Sequence, residues 1–181
     1  MSNVKKESKE LLRGVLMAII LYFVIQISLV LATGVDDPIS VVISGSMDHT
    51  GYDFDQWWDI KEQEYLQFGI NEEDFMQYDY HEGFSKGDIL LVTDIGIQDI
   101  LVGDVIVFRR GDEKIPIVHR VVSVNIIDGE HYFITKGDYN PIADNFYTNG
   151  ISGVHEANVI GEVSGLLPQI GKVTLFFRGA L

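Results

Sequence analysis

The chain has 181 residues, 27 acidic against 13 basic side chains, a formal net charge of -14 at pH 7 and no cysteine. That length holds one domain of ordinary size beside a short anchor. The acidic balance argues against a nucleic-acid partner, which needs a basic surface to displace counterions, and the missing cysteines remove disulfide, thiolate-nucleophile and cysteine–zinc readings together.

The first element is apolar. From Gly14 to Ala32 the sequence reads GVLMAIILYFVIQISLVLA, without a charge and with only Gln26 and Ser28 clearly polar. As a helix this run spans ~28 Å, enough for the hydrocarbon core of a bilayer. A buried core helix is rarely so apolar on every face, and the apolar part of a cleaved secretory signal is usually only ~7–15 residues long. We therefore expect a cytoplasmic N-terminus over residues 1–13, a transmembrane anchor over 14–33 and an extracytoplasmic domain over 34–181. The orientation follows from Lys5, Lys6, Lys9 and Arg13 before the run and Asp36 and Asp37 after it.

Beyond Pro38, Ile39–Ile43 reads as a β-branched strand and Ser44–Met47 (SGSM) as a turn. The character changes over residues 48–82, which hold eleven Asp and Glu, one basic residue (Lys61) and many aromatics, among them Trp57, Trp58, Tyr65 and Phe75. Asp55 is a candidate cap for a helix running to about Phe68, and Asn71 for a second short one. This stretch is read as a partly helical insertion whose aromatics form a small local core.

From Lys86 the period becomes β. KGDILLV (Lys86–Val92) and VGDVIVF (Val102–Phe108) each set a Gly-Asp turn before an apolar strand, and IPIVHRVVSV (Ile115–Val124) is a long strand. Asp128-Gly129 signals a hairpin into HYFITK. TKGDYNPIAD (Thr135–Asp144) is a loop, and further strands are expected at Val159–Val163 and Val173–Phe177. The fold class is mainly β.

Three groups of residues can carry chemistry. Ser46, on a sharp Gly-containing turn, can expose its Oγ and leave its backbone N–H free for an oxyanion. His119 lies in a strand on the face of Ile117 and Val121 and can act as a general base, although His49, His81, His131 and His155 are rivals and His49 is only three residues from Ser46. Asp138 and Asp144 can each orient a histidine. Asp138-x-Asn140-Pro141 also reads as plain turn chemistry, and the Gly and distal Glu of a calcium loop are missing.

Taken in order, the anchor, SGSM, KGDILLV, VGDVIVF, IVHRVV and TKGDYNPIAD resemble the type I signal peptidases, in the branch found in archaea and in the endoplasmic-reticulum complex. The resemblance covers residues 14–47 and 84–165. It implies a signal-peptidase-like β protease domain in which Ser46 is the nucleophile and Ser44 helps line the oxyanion hole with the Ser46 N–H. His119, followed by Arg120, takes the place of the lysine of bacterial relatives, and the two aspartates of the last motif fall on Asp138 and Asp144. No metal or cofactor is implied. The partners implied are signal peptides of preproteins, the lipid bilayer and the protein translocation channel, with the enzyme held in the cell membrane by a single span. Two features depart from the family pattern: Asp48-His49-Thr50 stands where relatives commonly have proline, and the insertion is longer than the expected connection. Some relatives carry a second, C-terminal span, and GKVTLFFRGAL, from Gly171, is too short to be one.

The expected activity is removal of N-terminal signal peptides by a Ser/His/Asp mechanism. The substrate would add as a strand beside Val42 and Ile43, with small pockets for the residues one and three before the cut. Between the aspartates we expect Asp144 to partner His119. Asp138 follows a Gly as Asp88 and Asp104 do, which predicts a turn-stabilising role through nearby backbone N–H groups. Two alternatives stand beside this reading: a catalytically silent anchored β-domain binding an extracellular partner through its acidic insertion, and a self-cleaving Ser-Lys peptidase, which would want a lysine where His119 stands.

Overall fold

The computed structural model describes residues 2–111, 113, 115–148 and 150–171. The apolar run lies within one continuous helix, α1 (Ser2–Thr33). Its Lys6–Thr33 portion is long and apolar enough to cross a membrane, and its most apolar window is not buried by the rest of the chain. Leu16, Ile20, Phe23 and Leu31 are all exposed, a surface suited to lipid rather than water. The helix closes at Gly34, whose N–H donates to Val30 O at 2.9 Å.

Seven strands form one antiparallel sheet. In chain order the strands are β1 (Ile39–Val41), β2 (Ile89–Thr93), β3 (Val105–Phe108), β4 (Ile117–Ile127), β5 (Glu130–Lys136), β6 (Tyr147–Thr148), β7 (Ile151–Ser152), β8 (Val154–His155) and β9 (Val159–Leu167). The large sheet runs β1-β2-β9-β3-β4-β5-β8, and β6 and β7 pair separately. The base of α1 is tied to this sheet, for Asp94 N–H donates to Thr33 O and Val92 N–H to Pro38 O, each at 2.8 Å. α1 therefore leads directly into β1, at an edge of the sheet among the described residues.

Local chemistry explains where the strands start and turn. Asp88 accepts from Ser85 N–H at 2.7 Å and Asp104 from Leu101 N–H at 2.7 Å, so both Gly-Asp turns are closed by their own aspartates. At the β4–β5 hairpin Asp128 and Gly129 take φ of 53° and 87°, the left-handed pair that a two-residue type I′ turn requires. β9 runs on to Leu167, past the expected Val163, because Gly165 and Leu166 continue the pairing with Leu91 and Leu90. The expected strand at Val173–Phe177 lies outside the described residues.

The insertion is helical in two short pieces, α2 (Phe54–Leu66) and α3 (Glu72–Phe75). Asp53, not Asp55, caps α2: its side chain accepts from Gln56 N–H at 2.9 Å while Gln56 Oε1 accepts from Asp53 N–H at 3.4 Å. Asp53 wins because Gln56 completes the reciprocal box three residues on, leaving Asp55 in the first turn, where its charge suits the helix dipole. Asn71 caps α3 as expected, accepting from Asp74 N–H at 3.0 Å. Trp57, Trp58, Tyr65, Ile70 and Phe75 cluster around Val122 of β4, so the aromatics do form a local core, built against the sheet. Truncating one of these large rings to alanine costs ~3–5 kcal/mol.

Candidate active site

A cleft of about 1340 Å³ opens between the end of β1, the start of β4 and the segment 140–146. Val42, Ile43, Ser44, Ser46, His119 and Asp144 all line it. Asp138 does not, so the cleft separates the two aspartates of the loop.

Ser46 is held by its neighbours on both sides. Upstream, Val42 N–H donates to Asp88 O and Val42 O accepts from Gly87 N–H, both at 2.9 Å. Downstream, Met47 is 1 % exposed and its carbonyl accepts from Phe84 N–H at 2.9 Å. An apolar residue after the serine is thus the anchor that drives the turn into the core and leaves Ser46 at the cleft wall. The Ser46 carbonyl accepts from Tyr139 N–H at 2.8 Å, and its Oγ lies 3.3 Å from Ser44 Oγ. No hydrogen bond joins Ser46 Oγ to His119.

His119, in β4 opposite Ile106 of β3, is buried, and its ring meets Phe108 edge-on. Its Nδ1 lies 2.6 Å from Asp144 Oδ2, and Thr135 Oγ1 donates to that same oxygen at 2.7 Å. Asp144 N–H donates to Thr135 O at 2.8 Å, which fixes the backbone as well. A carboxylate on Nδ1 puts the neutral ring's proton there and leaves the Nε2 lone pair facing the other way. That way lies Ser46. A Cβ placed on Gly137 would stand 2.8 Å from His119 Nε2, 2.8 Å from Ser46 O and 2.7 Å from Asn140 Nδ2. Glycine at 137 is what lets the histidine and the serine turn share one small space.

Asp138 has a different setting. It is fully buried, and Arg120 grips it twice, Nε to Oδ1 at 3.1 Å and Nη2 to Oδ2 at 2.8 Å. Tyr65 OH donates to Oδ1 at 2.7 Å, and His49 Nε2 sits 3.1 Å from Oδ2. Burial opposes the charge, but the Arg120 guanidinium and the His49 and Arg120 hydrogen bonds outweigh it and hold this carboxyl well below the usual carboxylate range. The remaining Arg120 donors go to Asp79 O, Tyr80 O and Gly103 O at 2.8–2.9 Å. The expected turn-stabilising role through local N–H groups is therefore corrected: the Asp138 side chain bonds three distant side chains. The repeated Gly-Asp pair was a poor guide because Asp88 and Asp104 find partners three residues away, whereas Asp138 meets a buried arginine first.

Of the rival histidines, His49 is buried against Trp57, with ring centroids 3.8 Å apart and planes 14° from parallel. His81 Nδ1 lies 3.2 Å from Tyr78 O, and His131 and His155 pair with Glu156 and Glu130 at 2.8 and 3.1 Å, none of them at the cleft. Thr135, Gly137 and Asn140 complete the site and were not singled out from the sequence. Their position inside TKGDYNPIAD, between two candidate aspartates, was the available signal.

No family model matches the chain. Comparison with curated proteins does find relatives. The signal peptidase complex catalytic subunit SEC11C of Homo sapiens is 31 % identical over 152 residues, covering 83 % of this chain and 62 % of its own length. The signal peptidase complex catalytic subunit SEC11 of Metarhizium robertsii is 36 % identical over 94 residues, 51 % of this chain and 55 % of its own, and that of Schizophyllum commune 31 % over 109 residues, 51 % and 56 %. The chain thus spans less than two thirds of the length of these relatives. The chain is thus similar to the catalytic subunits of signal peptidase complexes over 83 % of its own length.

Proposed function

We propose that the protein is a signal peptidase, a serine endopeptidase that removes signal peptides from preproteins. The observation that carries this reading is the 2.6 Å contact between His119 Nδ1 and Asp144 Oδ2 in a cleft that Ser46 also lines. In the mechanism, a side-chain rotation brings Ser46 Oγ to His119 Nε2, which takes its proton as Oγ attacks the scissile carbonyl. Asp144 holds the ring and stabilises the imidazolium, and Thr135 keeps that carboxylate in place. The Ser46 N–H and the Ser44 hydroxyl receive the oxyanion. The imidazolium then protonates the leaving amine, and water, deprotonated by the same Nε2, releases the acyl group from Ser46.

Substrate binding follows from the sheet edge. Among the described residues β1 is paired on one side only, and its bonds to the β2 side use Pro38 O and both backbone groups of Val42. Alternation then turns the N–H and C=O of Val41 and Ile43 outward, toward the cleft, where an extended peptide can add as a strand. Residues one and three before the cut fall on one face of that strand and so meet one wall of the cleft, which Val42 helps form and which favours small side chains there.

The same reading places the protein in the cell membrane by α1, with residues 1–13 in the cytoplasm and the β domain outside, within reach of the translocation channel. Lys5, Lys6, Lys9 and Arg13 against Asp36 and Asp37 support this orientation. Protease added to the external face should digest the domain and spare a tag near Asn3, and the reverse pattern would contradict the orientation. The activity itself is tested by incubating purified protein with a signal-bearing precursor and sequencing the new N-terminus. We expect one cut at the end of the signal and none with Ser46→Ala, whereas undiminished cutting by Ser46→Ala removes the proposal.

A further inference from the structure

The motifs quoted for the family resemblance lie on either side of the insertion, yet one face of its helix α2 reaches the site. Lys61, Glu64 and Tyr65 stand at i, i+3 and i+4, so they share a face. Lys61 Nζ donates to Tyr139 O at 2.9 Å and lies over the Tyr139 ring, 5.5 Å from its centroid. Glu64 reaches two lysines, Oε1 to Lys61 at 3.1 Å and Oε2 to Lys136 at 3.0 Å. Lys136 is fully buried, with Nζ 3.2 Å from Gly137 O, 3.3 Å from Asp138 O and 4.5 Å from the Tyr65 ring centroid. Tyr65 OH donates to Asp138 Oδ1 at 2.7 Å. One turn of α2 therefore grips Lys136, Asp138 and Tyr139.

That segment is the one next to the reacting groups. Tyr139 N–H holds the Ser46 carbonyl at 2.8 Å, and Gly137 packs against both Ser46 O and His119 Nε2. Only two links separate α2 from the serine turn. The Tyr139 side chain is 60 % exposed, so its contribution is through the backbone that Lys61 caps. A helix gripping this segment at three points limits its motion, and misplacing reacting groups by ~1 Å can cost ~10²-fold in rate.

We propose that α2 of the acidic insertion is a positioning element for the reaction, in which Lys61, Glu64 and Tyr65 fix residues 136–139 and so set Ser46 against His119. This rests on the signal-peptidase reading above. None of the three side chains touches substrate, so they are positioning residues and their loss should appear in kcat, with KM little changed. The effect should also appear in the attack of Ser46 on a fluorophosphonate, a reagent that reports serine placement without a bound peptide.

The test uses the full chain in detergent, with Tyr65→Phe, Lys61→Met and Lys61→Arg compared with wild type well below their melting temperatures. Tyr65→Phe removes one oxygen and Lys61→Met one half-buried charge, so the second variant serves if the first folds poorly. We expect kcat and the phosphonylation rate to fall together, roughly tenfold for Tyr65→Phe and less for Lys61→Met, with KM within about twofold. Lys61→Arg, which keeps a donor for Tyr139 O, should recover most of the Lys61→Met loss. Wild-type kcat and phosphonylation in both folded loss variants, or losses confined to KM, would overturn the positioning role. If the wild-type protein neither cleaves precursor nor reacts with the phosphonate, the peptidase reading itself fails, and this inference with it.

Discussion

Among the described residues two histidine–aspartate pairs occur, and on the proposed function only one of them moves a proton. In His119–Asp144 the carboxylate takes Nδ1 and leaves Nε2 toward the cleft and Ser46. In His49–Asp138 the carboxylate takes Nε2, Trp57 covers the ring, and Nδ1 is buried without a partner. Asp138 is also already neutralised by Arg120 at 2.8 Å, whereas Asp144 is hydrogen-bonded by a neutral threonine. The same two residue types thus form a pair with one ring nitrogen facing the cleft in one place and a sealed structural joint in the other. What separates them is which ring nitrogen is left free, and whether a cation has already claimed the carboxylate.

Ser46→Ala should break the reactive side completely. No cleavage of precursor and no phosphonylation are expected, with a melting temperature close to wild type, since one oxygen leaves a turn held by Met47. Next in size, His119→Ala should lower turnover by several powers of ten, by analogy with triad knockouts at ~10⁴–10⁶. His49→Ala should act instead on stability, by roughly 1–3 kcal/mol, with activity retained in the folded fraction. Loss of all activity in a well-folded His49→Ala would exchange the roles of the two pairs.

A smaller effect lies on β9, away from both pairs. Glu162 is raised to about 7, first by burial and then by the nearby Asp104 and Asp79. Its folded-state value exceeds the ordinary ~4.3 of the unfolded chain, so the fold binds this proton more tightly. The stability that this contributes is present at low pH and lost as pH rises through about 7. Glu162→Gln should therefore raise the melting temperature at pH 8 by roughly 2–4 °C and leave it almost unchanged at pH 5. An equal shift at both values would show that Glu162 titrates elsewhere. Asp138 runs the opposite way: its depressed carboxyl lends stability at every pH above the ordinary carboxylate range, and that stability drains away only on strong acidification.

Much of the frame was legible from local pattern. Period-two runs placed β2, β3 and β4, Asp128-Gly129 placed the β4–β5 hairpin, and an uncharged run placed α1, because each signal acts within a few residues. The choice between Asp144 and Asp138 rests half on a local turn role for Asp138, and that half does not hold. The Asp138 partners Arg120, Tyr65 and His49 are 18, 73 and 89 residues away, beyond the reach of any spacing argument. The grip of α2 on residues 136–139 was hidden for the same reason. Composition could mark the insertion as a local core, but its polar face meets its partners only after the sheet has folded.

The account stands most directly on Asp144→Asn and Asp138→Asn, compared for turnover on a signal-bearing precursor and for melting temperature. Asp144→Asn should fold normally and lose turnover by up to ~10⁴, since an amide no longer holds the histidine tautomer. Asp138→Asn should leave Arg120 with an uncompensated buried charge, cost ~3–5 kcal/mol of stability and, by loosening residues 136–139, lower turnover only about tenfold in whatever fraction folds. A well-folded Asp144→Asn with near-normal turnover, beside a well-folded but inactive Asp138→Asn, would contradict it.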